Sequence, residues 1–454
     1  MRICLKGTRY ARIKGKLPGR KAAAVVRRTS QLLSPSISRF YPLVIDSAHG
    51  SIVRDVDGNQ FLDFTSGIAV LNTGSTHPKV LEAIRRQSKK FVHFSYTDFY
   101  YDNIVKLSQQ LVSLAPGRSE KMVYYGNSGA EAVEAAMKLS RNYTRRPMYL
   151  SHTGSFHGRT MGALSLTASK PIQRKNALPL VPDVVHFPFP YCYRCPWKQT
   201  FPECDYYCVD YFKEQYLEKF VPTDEIAAYF FEPIQGEGGY VVPPPEYFRK
   251  MEFLRKEGVL FVSDEIQTGM GRTGRFFGIE NFGIVPDMIT MAKGIASGLP
   301  LSVLVSRADV MKSWKPGQHA STFGANPVAV EAAIATLEVM KSEHLMANAR
   351  AQGAHALKRL REMQERYEII GDVRGMGLFI GVELVRSKRT KERGDKEAKE
   401  IMNRCFRNGL LVIMAGRNVI RLIPPLSTTR EELDEGLDIL ENAVAAVDKT
   451  VAGD

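Results

Sequence analysis

Two residues some thirty positions apart carry the chemistry that the chain is organised around. Asp264 closes the apolar run that starts at Val259, and Lys293 follows a second run containing Met288, Ile289 and Met291. Apolar, β-branched runs of this length read as buried strands. A carboxylate and a lysine at two strand ends would face one crevice of an open α/β sheet, where ligands bind. Such a pair suits pyridoxal phosphate. The amine would bond to the cofactor aldehyde as a Schiff base, and the acid would keep the pyridine nitrogen protonated so that the ring draws electrons. Taken alone, the aspartate also reads as a turn or helix cap and the lysine as a solvated surface charge. The pair needs a phosphate site and a ring-stacking group beside it.

Both are available. The stretch G-N-S-G-A-E follows a strand-like K-M-V-Y-Y and opens a helix. Backbone N–H groups at a helix start favour an anion; Gly129 permits close approach, and the Ser128 hydroxyl can donate. The same residues read as a serine cap with Glu131 three positions on, a capping box, and the two readings are compatible. Phe156, in S-F-H-G-R-T after the strand at 148–152, suits a flat ring or ordinary core packing. Arg159 in that stretch is a fixed fork suited to a carboxylate. Glu232 and Glu237 lie in F-E-P-I-Q-G-E-G-G, just after another strand.

The elements that must position these groups alternate. Strands are expected at 121–125, 148–152, 226–233, 259–262 and 288–291, with a helix from G-N-S-G-A-E and another over 242–258, closed by Gly258. Alternation of this kind implies an α/β domain with a largely parallel sheet. D-G-N at 57–59 marks a hairpin, and a helix starts near Pro78. From about 325 a long helical stretch with one break, two strand-like runs (G-L-F-I-G-V-E-L-V and N-V-I-R-L-I-P-P-L) and a last helix from Arg430 read as a smaller α+β domain. The expected division is 1–75 as an N-terminal arm and joining segment, 76–324 as the large domain with an insertion at 188–212, and 325–454 as the small domain.

Composition bounds the function. At 454 residues, with 44% hydrophobic and 24% charged residues, the chain is ordinary for a globular protein of two domains. No apolar run reaches the ~18 residues that a membrane span needs. The net charge of +14 is confined to an arm: residues 1–45 hold 11 Lys and Arg and no acid, and the rest carries only +3. That distribution argues against a nucleic-acid partner. An Arg-rich, acid-free start also resembles a transit peptide, but it runs straight into a strand-like body and is read as a partly ordered arm of a cytoplasmic protein. Four of six cysteines form C-x2-C-x8-C-x3-C: Cys192, Cys195, Cys204 and Cys208. Such spacing can ligate zinc or an iron–sulfur cluster. The short central gap and crowding aromatics favour instead a surface insertion with packed thiols or a disulfide or two, and no metal.

The motifs together resemble the class III pyridoxal-phosphate aminotransferases, most of all the 4-aminobutyrate aminotransferases, from about residue 40 to the C-terminus. The resemblance rests on G-I-A-V-L-N-T-G, G-N-S-G-A-E-A, F-H-G-R-T, F-E-P-I-Q-G-E-G-G, S-D-E-I-Q-T-G-M-G-R-T-G, M-A-K-G, S-T-F-G-A-N-P and R-L-I-P-P-L, in family order. It implies a fold-type I transferase with pyridoxal phosphate on Lys293, Asp264 on the ring nitrogen, Ile266 and Phe156 on the two ring faces, and Gln267 on the ring hydroxyl. Ser128, Gly129 and Ala130 would hold the phosphate, with His157 and Glu232 in the cofactor's surroundings. Thr322 would reach the neighbouring subunit's phosphate, making a homodimer or a dimer of dimers. Arg421 would bind the substrate α-carboxylate, Glu237 would pair with Arg421 for an ω-amine donor, and Arg159 would take a distal carboxylate. Ile68 stands where ornithine-specific relatives carry Tyr. The implied reaction moves an amino group from an ω-amino acid such as 4-aminobutyrate to 2-oxoglutarate. Related racemases and epimerases make stereochemical inversion the alternative, and some carry Asp where this chain has Glu237. The cysteine insertion and the basic start depart from the family pattern.

Overall fold

The computed structural model describes residues 9–451; the start of the basic arm lies outside the described residues. The chain forms two compact units, Pro78–Met346 and the residues up to His77 together with those from Ala347.

The Pro78–Met346 unit is built on a seven-stranded sheet. Its strands run in the order Lys121–Gly126, Ser302–Arg307, Met288–Met291, Leu260–Asp264, Ile226–Phe231, Met148–His152 and Val184–Phe187. Six are mutually parallel; Ser302–Arg307 runs antiparallel to both its neighbours. The central strands Ile226–Phe231 and Leu260–Asp264 are buried at every position. Interior strands of a parallel sheet are covered on both faces, so their sequences are continuously apolar rather than alternating. Because the six strands share a direction, their carboxyl ends lie on one edge. That edge carries the loops after Gly126, His152, Phe231, Asp264 and Met291, which hold the chemistry-bearing residues. This confirms the α/β class.

Local chemistry explains the departures from expectation. Val184–Phe187 and Ser302–Arg307 had no counterpart in the sequence reading. The first is an edge strand flanked by Pro182 and Pro188, and the second is the one strand that breaks the parallel alternation. The helix expected over 242–258 is two short pieces, Tyr247–Met251 and Phe253–Lys256. Pro243, Pro244 and Pro245 lack N–H donors and hold extended backbone before it. The long helical stretch breaks once, at His344 with φ +52°, between Pro327–Ser342 and Leu345–Arg366. Asn326 caps the first of these through Val328 N and Ala329 N at 3.0 and 3.3 Å. The sequence division gives Pro327–Ser342 to the small domain, but it packs within the larger unit, on helices Pro78–Ser88 and Asp102–Leu114.

The other unit holds two four-stranded sheets and the last helix, Arg430–Val451. The D-G-N hairpin joins Ile52–Asp55 to Gln60–Asp63, with Gly58 at φ +84°, where glycine is free of Cβ strain. The arm packs on this unit: Asp57 accepts from Lys21 N and Ala22 N at the start of helix Arg20–Leu32, at 3.0 and 2.9 Å. The Glu435 carboxylate gathers the amides of Arg9, Tyr10 and Ala11. No helix among the described residues is long and apolar enough to cross a membrane.

Candidate active site

Asp264 is 3% exposed at the end of its strand. A buried carboxylate needs donors, and three converge on it. Ile266 N and Thr290 Oγ1 reach Oδ1 at 3.1 and 3.2 Å, and His157 Nδ1 reaches Oδ2 at 2.7 Å. His157 is itself buried. Burial opposes its protonation, but the hydrogen bond and charge of Asp264 outweigh that and hold its pKa above the usual imidazole value. Its Nε2 is buried without a partner among the described residues. The acid is therefore fixed in place by its neighbours, as a partner for a ring nitrogen must be.

Lys293 opens a short 3-10 turn directly after strand Met288–Met291 and is half-buried. Its φ is +43°, the left-handed region that non-glycine residues occupy at a cost of roughly 1–3 kcal/mol, most often at functional sites. The tertiary structure thus holds the lysine where the local backbone would not.

At the opposite side of the edge, helix Gly129–Thr144 begins with a complete capping box: Ser128 Oγ accepts from Glu131 N at 3.3 Å, and Ser128 N donates back to the Glu131 carboxylate at 3.1 Å. The cap uses neither the Gly129 nor the Ala130 amide, and no acceptor for either occurs among the described residues. Free amides at a 16-residue helix start form an anion cradle. A Cβ at Gly129 would lie 2.9 Å from Ile266 Cδ1, so glycine here lets the helix mouth approach the residue two places after the acid without displacing that side chain. Asn127 Nδ2 donates to Ser321 Oγ at 2.9 Å, which brings the loop of exposed Thr322 to this mouth.

Glu232 ties two further loops together. It accepts from Phe156 N at 2.9 Å and Gly236 N at 2.8 Å. Burial raises its pKa to about 7, with His157 opposing and Asp264 reinforcing. Gln267 is oriented by Tyr240, whose hydroxyl donates to Oε1 at 2.7 Å, so the amide nitrogen is left to donate elsewhere. Phe156 is half-buried, and the exposed Arg159 guanidinium lies 5.7 Å from its ring centroid. Arg159 has no acidic partner among the described residues. Glu237 is paired with Lys170 at 3.4 Å.

Ile68 and Arg421 belong to the other unit. Ile68 lies within four consecutive residues, Ser66 to Ala69, whose φ values run from +46° to +67°. This left-handed turn is held by Asp63, which accepts from Thr65 N and Ser66 N at 2.7 and 3.2 Å, and by Ser66 Oγ donating to Ile423 O at 2.5 Å. Arg421 is 2% exposed on strand Val419–Leu422, opposite Gly381.

Sequence reasoning missed Tyr240, Thr290 and Glu265. Thr290 had a signal, a polar residue inside a buried strand. Glu265 accepts from Gly278 N and Ile279 N, both at 2.8 Å, and from Thr268 Oγ1 at 2.6 Å, so it shapes the loop after Asp264. Tyr240 had none, because its partner is 27 residues away. The insertion's cysteines are free thiols, not the disulfides that one reading of it allowed.

The residues fit pyridoxal phosphate. An acid fixed by three donors, an amine at a neighbouring strand end, a helix mouth with two free amides and an oriented amide donor all lie on one sheet edge. The class-III aminotransferase family matches residues 34–444. The chain is 41% identical to a leucine/methionine racemase of Thermococcus litoralis, over 95% of this chain and 97% of that protein. It is 37% identical to a 4-aminobutyrate aminotransferase of Mycobacterium leprae, over 93% and 96%. Among solved structures, an (S)-enantioselective omega-transaminase from Thermomicrobium roseum superposes with a TM-score of 0.86 at 32% identity, covering 95% of this chain and 99% of that one. The chain therefore belongs to the class-III aminotransferases, which are pyridoxal-phosphate enzymes.

Proposed function

We propose that the enzyme transfers an amino group from an amino acid, of the ω-amino type such as 4-aminobutyrate, to 2-oxoglutarate. The observation that carries this reading is Arg159, an exposed guanidinium beside the Phe156 ring with no acidic partner among the described residues. A planar fork in that position suits a distal carboxylate held bidentately, which a dicarboxylate acceptor has and a neutral amino acid lacks. Bound pyridoxal phosphate supplies an electrophilic aldehyde and a ring that accepts the electron pair left at the substrate carbon. The remaining work falls to the chain. Lys293 holds the cofactor, then takes a proton from the substrate carbon and returns it elsewhere. Asp264, fixed by His157 and Thr290, keeps the ring nitrogen positive. Gly129 and Ala130 amides and the Ser128 hydroxyl bind phosphate, Gln267 binds the ring hydroxyl, and Ile266 and Phe156 enclose the ring. In this proposal Arg421 takes the α-carboxylate and Glu237 answers it when an ω-amine is bound. Thr322 serves a second copy of the chain; exposed Phe94, Phe99, Tyr100 and Phe323 support pairing of copies.

A second reading is racemisation or epimerisation, favoured by the 41% identity to a racemase. It needs an acid–base group facing the substrate opposite Lys293, for which Glu237 is the candidate. The test is to incubate the holoenzyme with single enantiomers and with 4-aminobutyrate, each with and without 2-oxoglutarate. Glutamate formation that depends on 2-oxoglutarate supports transfer. Appearance of the mirror-image amino acid without a keto acid, at rates above any glutamate formation, overturns it. Lys293→Ala should abolish either activity.

A further inference from the structure

The Arg159 side chain is exposed, yet the backbone that carries it is held on both sides. On one side, Gly158 has φ +146°, and a Cβ there would lie 2.8 Å from both Ala130 Cβ and Ala163 Cβ, so the chain runs directly against helix Gly129–Thr144. Thr167 Oγ1 accepts from His157 N at 2.9 Å and Gly158 N at 3.3 Å. On the other side, Thr160 Oγ1 donates to Glu134 Oε1 at 2.6 Å. Glu134 stands on helix Gly129–Thr144, and the same oxygen accepts from Gly162 N at 2.8 Å and Ala163 N at 3.1 Å. Those are the second and third amides of helix Met161–Leu166, the pair that a cap side chain ordinarily serves. The helix's own cap residue, Thr160, makes no side-chain cap bond. A carboxylate from a neighbouring helix therefore does the capping. A Cβ at Gly162 would overlap Glu134 Oε2, so glycine lets that carboxylate come close.

We propose that Glu134 is a positioning residue for Arg159: it fixes the Arg159 backbone to the helix that bears the anion-binding amides, and so sets the distance between the cofactor-phosphate site and the substrate's distal carboxylate. The inference rests on the reading of Arg159 as that carboxylate's partner. The use made of Thr160 separates positioning from simple helix capping. A local cap would have the Thr160 hydroxyl accept from its own helix, which would shape the helix and leave Arg159 untied. Here the hydroxyl donates instead to a residue 26 positions earlier in the chain, on the helix whose mouth is the phosphate site. Glu134 does this without pairing with the guanidinium, so the Arg159 charge stays available to a ligand. A bidentate fork discriminates only when its plane and distance are set, and a misplacement of about 1 Å can weaken such a contact about 100-fold.

The test is calorimetric titration of the full-length holoenzyme with glutarate, which has two carboxylates and no reacting group, and with pentanoate, the same carbon chain with one. The ratio of the two dissociation constants reads the distal carboxylate and needs no turnover. Glu134→Leu should cut the parent's preference for glutarate about 10-fold. Thr160→Val, which loses only the hydroxyl, should cut it about 2- to 5-fold. Glu134→Gln keeps an acceptor oxygen and should retain most of it, and pentanoate affinity should hardly change in any of the three. Arg159→Ala is the control and should abolish the preference. Retention of the cofactor's colour checks that each variant is folded; should Glu134→Leu lose it, Thr160→Val decides alone. A parent without the preference, or Arg159→Ala that keeps it, removes the reading of Arg159 and this inference with it. If Arg159→Ala loses the preference while the Glu134→Leu and Thr160→Val variants keep it, or weaken both ligands equally, only the positioning role of Glu134 is overturned.

Discussion

Replacing His157 tests how the acid at the cofactor ring is held. His157→Phe keeps the ring volume and removes the donor 2.7 Å from Asp264 Oδ2. A hydrogen bond to a charged group contributes about 1.5–3 kcal/mol, and both partners here are buried, so solvent cannot replace it. If that loss falls on the ring-nitrogen contact, cofactor affinity should weaken by about 10- to 100-fold. His157→Asn places an amide N–H near the lost Nδ1 and should recover most of the affinity, though without the positive charge. The assay is absorbance titration of apoenzyme with pyridoxal phosphate, with circular dichroism to show that each variant is folded. Phe binding the cofactor as tightly as the parent would refute the reasoning. Asn and Phe behaving alike would refute the hydrogen-bond part of it, since only the donor distinguishes them.

Other consequences concern stability and fine positioning. His152 and His186 are kept neutral by burial, with pKa values lowered to about 3 and about 4. Their stabilisation is fully present above the unfolded imidazole pKa near 6.5 and is lost as pH falls below it. Urea midpoints should therefore drop between pH 7 and 4.5, and less so for His186→Gln; equal drops would exclude that histidine as a cause. Glu232 runs the other way in apoenzyme. Its pKa is raised to about 7, so its contribution is present at low pH and lost as pH rises toward and past 7. Glu232→Gln apoenzyme should gain midpoint relative to parent above pH 7, and no relative gain would contradict the burial argument. Ile68→Gly removes the Cβ strain of a left-handed residue, about 1–2 kcal/mol, partly offset by glycine's entropy in the unfolded chain. A melting temperature raised by a few degrees is expected, and a fall would show that the side chain contributes more than the strain. Tyr240→Phe should weaken cofactor binding by only about 2- to 10-fold, the worth of one neutral hydrogen bond; unchanged affinity would mean that Gln267 needs no orienting.

The chain's local order was enough to find the strands that end in Asp264 and before Lys293, because interior parallel strands must be continuously apolar. The helix mouth at Ser128 was legible for a similar reason: capping demands particular residues at fixed short spacings. Ser302–Arg307 escaped because its pattern is that of any buried strand and only its direction differs. Direction is set by pairing with Lys121–Gly126, some 180 residues earlier. His157, Glu232 and Gln267 were recognised by resemblance, but what each one touches was not. His157 meets Asp264 across 107 residues and Glu232 meets Phe156 across 76, and contacts of that span leave no periodic mark in the chain. Residue type and near-neighbour spacing were enough to single out an amine, an acid and a capped helix mouth as candidates. Their assembly on one sheet edge was decided by packing alone, because only burial against distant segments fixes where a strand end or a loop comes to rest.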